Sequence, residues 1–526
     1  MPDGVRPQAK GYSGAGASLT KRALKGFKAR SGSPNEDINW NNYTLRQRGR
    51  MLYMASPLAT SAINTNRTKV IGVGLSLKSA VNRNILGLSP EAARDWQKHT
   101  EAEFHLWADR KQNCDAVGVN NFEGLQQLAL VSWLMSGDVF CVFKRRAVTP
   151  ACPYSLRIHL VEADRVSTPE SIGGIGYPGI TDGRNPDNGN KIFDGVEVDS
   201  DSMITAYHIR NTYPWQITGE PTVWTRVEAY GKTGLPNILH VMNSERCDQY
   251  RGVTYLAQII EPLLQLNRYT ESALMMALVQ SFYTAWIITK TDPAEMPFNS
   301  TGDIVGDTGE NPVRDSVANS PNEYEQGPGE VFHLKENEDI KFGNPAMPVT
   351  GFDAFVKTFS KLIGAGLGIP YDVLVKEYNS SYSSARAALL DAWEDFRTRR
   401  KWFIDDFCQP VYEVWLSEAV ARGRIKAPGF FGDPLVRNAW CGARWIGPVQ
   451  GSIDPLKEAK AAVLQIQNAL KTHEQVTMEM SGGDWEENVE QLARENELLT
   501  AAGGGSIQMT VDPNEKEEDG EEGGKE

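Results

Sequence analysis

The chain has 526 residues, 40% hydrophobic and 23% charged, with a formal net charge of −13. That length exceeds one small domain, fits roughly three of ordinary size, and supplies enough apolar mass for a large core. Six scattered cysteines without a CxxC pair exclude a zinc finger or a secreted disulfide scaffold, and the acidic balance is not that of an obvious DNA glue, since phosphate affinity comes mainly from Lys and Arg; it suits a surface that DNA slides past.

Residues 1–38, rich in Gly, Ser and Lys/Arg, read as a flexible basic arm; residues 1–50 carry ten Lys/Arg against three Asp/Glu. No apolar signal-peptide core is expected at the N-terminus, and the thiols suit a reducing cytoplasm. From Trp40 the pattern becomes globular. Helices are predicted over Glu91–Trp107 and Asn121–Met135, with Gly137-Asp138 as punctuation before a strand at Val139–Phe143. Leu156, Ile158 and Leu160 alternate with polar residues, as in a half-buried strand, and Gly195–Ile209 reads as two strands joined by an acidic turn.

A helical stretch is predicted from Val253 to about Thr289, kinked or restarted at Pro262, which lacks an N–H. Within it, Ser272–Thr289 is 18 residues without a charge, just long enough to raise a membrane span. Gln280, Ser281, Tyr283 and Thr284 interrupt it, so a helix buried or facing another subunit is the better reading. Strands are predicted at Ala285–Thr289 and Glu330–Leu334, around a Gly/Pro-rich insert.

Phe352, Phe355, Val356, Phe359, Leu362 and Ile363 form a helical stripe, with Thr350 and Asp353 at capping-box spacing and Lys357 and Lys361 four apart on another face. A long helix from about Ser383 carries Leu389, Trp393, Phe396, Phe403, Phe407, Val411 and Val414 and should kink or break at Pro410. Asp454-Pro455 marks a further helix start. Leu456, Ala459, Val463, Ile466 and Leu470 then step with coiled-coil spacing. Trp485, Val489, Leu492 and Leu499 suggest a last helix, and the tail from Asp512 carries eight acids against two lysines.

Few motifs carry chemistry. GIGYPG (174–179) matches GxGxxG, but Pro178 stands where a binding helix would begin. GVGLSLKS (72–79) has Leu77 where a phosphate loop needs glycine, so it reads as a turn before a strand. Neither HExxH nor GxSxG occurs, the histidines are dispersed, and no cofactor, metal or nucleophile is expected. Arg397, Arg399, Arg400 and Lys401, among Trp393, Phe396 and Trp402, could bind nucleic acid. Flanking Asp391, Glu394, Asp395, Asp405 and Asp406 favour ion pairing instead.

The run from Leu239 to Leu278 resembles the signature of the lambda family of phage portal proteins, carried here by His240, Val241, Gln249, Tyr250, Arg251, Gly252, Leu256, Ala257, Pro262, Leu263, Arg268 and Tyr269. Residues 366–403 resemble that family's tunnel loop and following long helix, and Gly195–Ile209 its paired wing strands. Cys247 and Asp248 depart from the Pro-Gly that relatives often carry. The resemblance covers roughly residues 40–450.

The resemblance implies an α+β portal fold, mostly helical, with a mixed α/β wing, helical stem, small α/β clip and helical crown. The expected division is a basic arm (1–38), wing (39–250), first stem helix (251–284), clip (285–345), second stem helix (346–368), tunnel loop (369–382), long wing helix and return (383–450), crown (451–502) and acidic tail (503–526). It implies a non-enzymatic homododecamer at one capsid vertex of the virion, assembled in the host cytoplasm without a membrane. Double-stranded DNA would pass through it, and the terminase large subunit, head-tail adaptor or neck proteins and major capsid protein would be partners. The channel lining is expected at Val375, Lys376, Glu377, Tyr378, Asn379, Ser380, Ser381 and Tyr382, with Lys357 and Lys361 as stem candidates. Two rival readings are a DNA-processing enzyme, which needs a carboxylate cluster or nucleotide loop, and a minor capsid or scaffold protein without a channel.

Overall fold

Capping residues and turn glycines set the element boundaries in a computed structural model that describes residues 12, 16–172, 182–217, 219–282, 286–289, 338–341, 351–377, 382–451 and 455–502. The chain divides into two units, Met1–Glu261 with Ser360–Glu526, and Pro262–Phe359.

In the larger unit, Asn35–Asn39 leads into helix α1 (Trp40–Ala55), with Ile38 buried and Asp37 ion-paired to Arg246. Helix α2 (Pro57–Asn66) follows, and Gly72 and Gly74 turn the chain, both at positive φ, into strand β1 (Ser76–Ser79), the turn-and-strand reading of 72–79. After the single turn α3 (Arg83–Leu86), Ser89 caps α4 (Pro90–Ala108) by accepting from the Ala92 N–H at 3.2 Å, with Pro90 where no N–H is needed. The short α5 (Lys111–Cys114) precedes α6 (Phe122–Ser136), capped by Asn121. Phe104 and Trp107 of α4 meet Phe122 of α6 in an aromatic core, with Phe104 edge-on to Trp415 at 5.0 Å.

Gly137 ends α6 at φ 93° and turns the chain into β2 (Asp138–Arg145), the central strand of an antiparallel sheet between β3 (Leu156–Glu162) and β9 (Ile238–Met242). The half-buried alternation expected for β3 is corrected: Arg157 is buried and Leu160 is only partly so, because α5 and α6 as well as β2 pack on this strand. Strands β4 (Asp182–Arg184), β5 (Lys191–Phe193), β6 (Val196–Val198), β7 (Ile204–Arg210) and β8 (Trp224–Glu228) form a second antiparallel sheet in sequence order. The β6–β7 turn is acidic as expected: the Asp199 carboxylate accepts from the Asp201 and Met203 N–H groups. Phe140, Val161, Val196, Tyr207 and Tyr250 form the core shared by the two sheets. GIGYPG lies outside the described residues.

The smaller unit holds most of α7 (Ile260–Phe282), with a first turn that contains Pro262. The helix therefore starts afresh there instead of kinking, preceded by the 3₁₀ turn Ala257–Ile259. The charge-free stretch is not one helix: α7 ends at Phe282 and β10 (Trp286–Thr289) follows. Among the described residues no helix is long and apolar enough to cross a membrane. The partner of β10 is β11 (Glu338–Lys341); the strand expected at Glu330–Leu334 lies outside the described residues, as does Thr350. Helix α8 (Phe352–Leu367) begins in this unit, where Tyr269 packs on Phe355 at 4.3 Å between ring centroids.

Back in the larger unit come α9 (Tyr371–Val375) and the long α10 (Tyr382–Phe403). Of the kink or break expected at Pro410, the break does not occur. A wide π-type turn, Ile404–Cys408, connects α10 to α11 (Gln409–Ala421), and Pro410 sits in the first turn of α11, where its missing N–H costs little. Trp393, Phe396, Phe403, Phe407, Val411 and Val414 are buried throughout. Asp406 in that turn has its carboxyl pushed up to about 6, by burial first and by neighbouring Asp405 second.

Helix α12 (Pro434–Trp440) leads to β12 (Ala443–Ile446), which pairs with β1. Helices α13 (Pro455–Gln467), α14 (His473–Met480) and α15 (Trp485–Ala501) bury no residue; Leu456 and Leu470 of the coiled-coil stripe are exposed, and Asp454 lies outside the described residues. Charge holds α14 and α15 instead: Lys78 meets Asp484 at 3.3 Å, Arg94 meets Glu486 and Lys98 meets Glu490 at 2.9 Å, and Arg444 meets Glu474 at 2.6 Å. All six cysteines are unpaired, and all but Cys247 are buried. Residues 1–11, 13–15 and 503–526, the greater part of the expected flexible ends, lie outside the described residues.

Candidate functional site

The segment expected to line a channel is partly helical. Pro370 starts α9, whose Val373 and Leu374 are buried, and the Ser61 hydroxyl of α2 donates to the Leu374 carbonyl at 2.7 Å. Val375 is thus the last residue of a helix rather than part of a loop. Lys376 caps it in the left-handed region (φ 61°, ψ 36°), a conformation usually left to glycine. Glu377 accepts from the Tyr371 hydroxyl at 2.7 Å. Tyr378, Asn379, Ser380 and Ser381 lie outside the described residues, and Tyr382 is the first residue of α10.

Of the two stem candidates, Lys361 lies 5.9 Å from the centroid of the Tyr371 ring, so the structure brings Lys361, Tyr371 and Glu377 together. Lys357 belongs to the smaller unit and pairs with Asp353 at 3.1 Å. The basic cluster resolves toward internal pairing. Arg397 meets Glu394 at 3.6 Å, Lys401 pairs with Asp405, and Arg399 bonds Asn66 and stacks 4.9 Å over Tyr255. Arg400 donates to the carbonyls of Val70, Lys69 and Pro448 at 2.7–2.8 Å.

The most constrained polar site is one that sequence reasoning named only in part. Arg251, of the Gln249–Gly252 signature, is fully buried. Its Nε donates to Asp138 at 2.7 Å, and its terminal nitrogens reach the Asp194 carboxylate at 2.8 Å and the carbonyls of Ala163 and Val166 at 2.9 Å, with the Phe140 ring 5.3 Å away. Asp138 also accepts from the Gly252 N–H at 3.1 Å and contacts the His240 ring at 3.3 Å and Arg46 at 3.7 Å. Burial alone would raise the Asp138 pKa; the Arg251 and Arg46 charges overcome that and hold its carboxyl well below the usual range. Burial lowers His240 despite Asp138.

Around this network, Gln249 accepts from the Glu245 and Arg246 N–H groups and donates to the Arg251 carbonyl, and Tyr250 stacks on Phe193. A Cβ on Gly252 would lie 1.9 Å from the Gly137 carbonyl oxygen, so two backbones abut there. Asp248 takes φ 58°, a conformation that aspartate tolerates. This network ties α1, both sheets and the approach to α7 together. Asp138, Arg251, Gly252 and Asp194 are bonded to one another or to backbone, as in a structural clamp. Sequence reading saw Gly137-Asp138 only as helix punctuation and missed Arg46 and Asp194; no local spacing reveals a pair 113 residues apart. Among the described residues no His/Cys/Asp/Glu cluster could hold a metal ion.

A sequence profile described as "Phage portal protein, lambda family" matches residues 20–400. The chain is 26% identical over 506 residues to a portal protein of Escherichia phage N15, covering 94% of this chain and 91% of that one. It is likewise 26% identical over 525 residues to portal protein B of Escherichia phage lambda, covering 95% and 92%. Among solved structures, a chain from the neck of a native GTA particle aligns with a TM-score of 0.41 at 12% identity, over 84% of this chain and 93% of that one.

Proposed function

The chain belongs to the lambda family of phage portal proteins, structural components of the virion rather than enzymes, and on that premise we propose that twelve copies close into a ring at one capsid vertex and form the conduit for double-stranded DNA. The ring assembles in the host cytoplasm, and it docks the terminase large subunit during packaging and the head-tail adaptor or neck proteins afterwards, seated among major capsid proteins. Wing is assigned to 39–250 and 383–450, stem to 251–284 and 346–368, clip to 285–345, tunnel loop to 369–382 and crown to 451–502. The separate unit Pro262–Phe359 falls within the assigned stem and clip.

The observation that carries the ring is apolar exposure in that unit. Leu274 is 63% exposed, Met275 58% and Met276 51% on α7, and Phe352 and Phe355 on α8 stay partly exposed beside Tyr269. Neighbouring protomers would cover them, which a lone soluble chain cannot. The channel lining is assigned to Val375–Tyr382, with Lys361 and Lys357 facing the lumen from the stem. Negative-stain images and native mass of the purified protein test the reading: a closed ring with a central hole, near 700 kDa for twelve chains of 58.2 kDa, is expected. A protein that stays monomeric, or assembles without a hole, refutes it. Leu278→Asp should yield monomers or irregular oligomers. Lys376→Glu should leave rings intact and lower the DNA content of virions.

A further inference from the structure

Beside the assigned tunnel loop lies a groove of about 560 Å³ whose twelve lining residues include no Asp or Glu, in a chain with 67 of them. One wall is the polar face of α2 and the turn that follows, where Ser61, Asn64, Thr65 and Thr68 recur at helical spacing. Its cations are Lys69 and Lys376. Lys69 is held at the wall, its ammonium 5.7 Å from the Trp393 ring centroid. Lys376 reaches the groove from a left-handed backbone conformation, which is strained for a non-glycine residue. Strain of that kind persists where the surroundings hold it, and here the Ser61–Leu374 hydrogen bond fixes α9 on α2. The hydroxyl face and Lys376 therefore form one surface.

We infer that this groove contacts the phosphodiester backbone of duplex DNA, so that the DNA-facing surface extends from the tunnel loop onto α2, Thr68 and Lys69. Two ammonium groups, the Thr65 and Thr68 hydroxyls and no carboxylate match a phosphate backbone without reading bases, the contact a sliding duplex tolerates. The inference rests on the conduit reading above and adds to it the surface that DNA touches.

The test uses rings of the full chain and a fluorescent 30-bp duplex, titrated by anisotropy from 25 to 200 mM KCl. The variants are Thr68→Glu, which places an anion in the groove at an exposed position, and Lys69→Gln; negative-stain images and thermal melts of each control for assembly and folding. Thr68→Glu should weaken binding about tenfold, and Lys69→Gln should flatten the slope of log affinity against log salt by about one per contacting protomer. Intact variant rings that bind with unchanged affinity and slope overturn the inference and leave the conduit standing. Wild-type rings that bind no duplex overturn it too. Thr68→Glu rings that fall apart while the wild type binds would make the groove a seam between protomers, equally against it. Failure of the wild type to form rings would instead remove the conduit reading and this inference together.

Discussion

Asp138→Asn removes one charge from the buried clamp and changes almost no volume. The wild-type carboxylate is wholly buried and takes bonds from Arg251, Gly252 and His240, with Arg46 at 3.7 Å. An asparagine keeps one acceptor but turns an N–H₂ toward guanidinium and imidazole, leaving Asp194 as the one carboxylate bonded to Arg251. Removing one partner of a buried ion pair costs roughly 3–5 kcal/mol, and the surviving Asp194 contact at 2.8 Å places the loss near the lower bound, about 3 kcal/mol. That is a large share of the roughly 5–15 kcal/mol that holds a domain together. Urea unfolding followed by tryptophan fluorescence measures it, with the double variant Asp138→Leu/Arg251→Met as comparison. Because that pair leaves no uncompensated charge, it should lose less than the single change. The difference between wild type and Asp138→Asn should also depend on pH. The folded-state pKa of Asp138 is depressed, so its stabilisation is complete above the unfolded value near ~3.9 and is lost as pH falls through the folded value. A single variant within about 1 kcal/mol of wild type at pH 7, or a double variant less stable than the single, would refute the reasoning.

Gly252→Ala should abolish soluble protein, because its Cβ would meet a backbone oxygen at 1.9 Å, whereas Gly26→Ala, with nothing near, should express normally. Helices α14 and α15 are held by partly exposed ion pairs, and the Debye length shrinks from about 10 Å at 0.1 M to about 3 Å at 1 M salt. Limited proteolysis should therefore cut residues 473–501 faster in 1 M NaCl, and Lys78→Glu should expose α15 already at 0.1 M. Asp406 titrates near 6, above the unfolded carboxylate value, so wild-type stability should decline as pH rises through that range. Asp406→Asn should flatten that part of the thermal-melt profile and leave the protein more stable than wild type at pH 8.

Elements whose cause is local were legible in the sequence. Ser89-Pro90 and Asn121 start helices through their own side chains, Gly137 ends one, and Asp199 builds its own turn. Pro410 suggested a break because a proline removes a hydrogen bond and its ring crowds the preceding turn, and the wider turn at Ile404–Cys408 lets the helical path continue past it. Strand β11 was missed because Glu338–Lys341 carries charges at three of its four positions and shows no hydrophobic alternation. The clamp was half visible: Arg251 stood out within a motif, but Asp138, Asp194 and Arg46 come from distant segments that only the folded chain brings together. Of the expected lining, Lys376 was chosen as a cation, while its backbone strain and its shared surface with α2 depend on tertiary packing.

The distribution of thiols has a practical use. Burial pushes Cys114 and Cys441 up to about 12, with the charges of Asp115 and Glu413 adding to it, and Cys141, Cys152 and Cys408 are also sealed from solvent. Cys247, on the turn beside the signature motif, is the one exposed sulfhydryl. A maleimide dye should thus mark the unmodified protein once per chain, on a segment anchored by Gln249. Photobleaching steps on single labelled particles would then report copy number directly, with no engineered tag and no symmetry imposed by averaging.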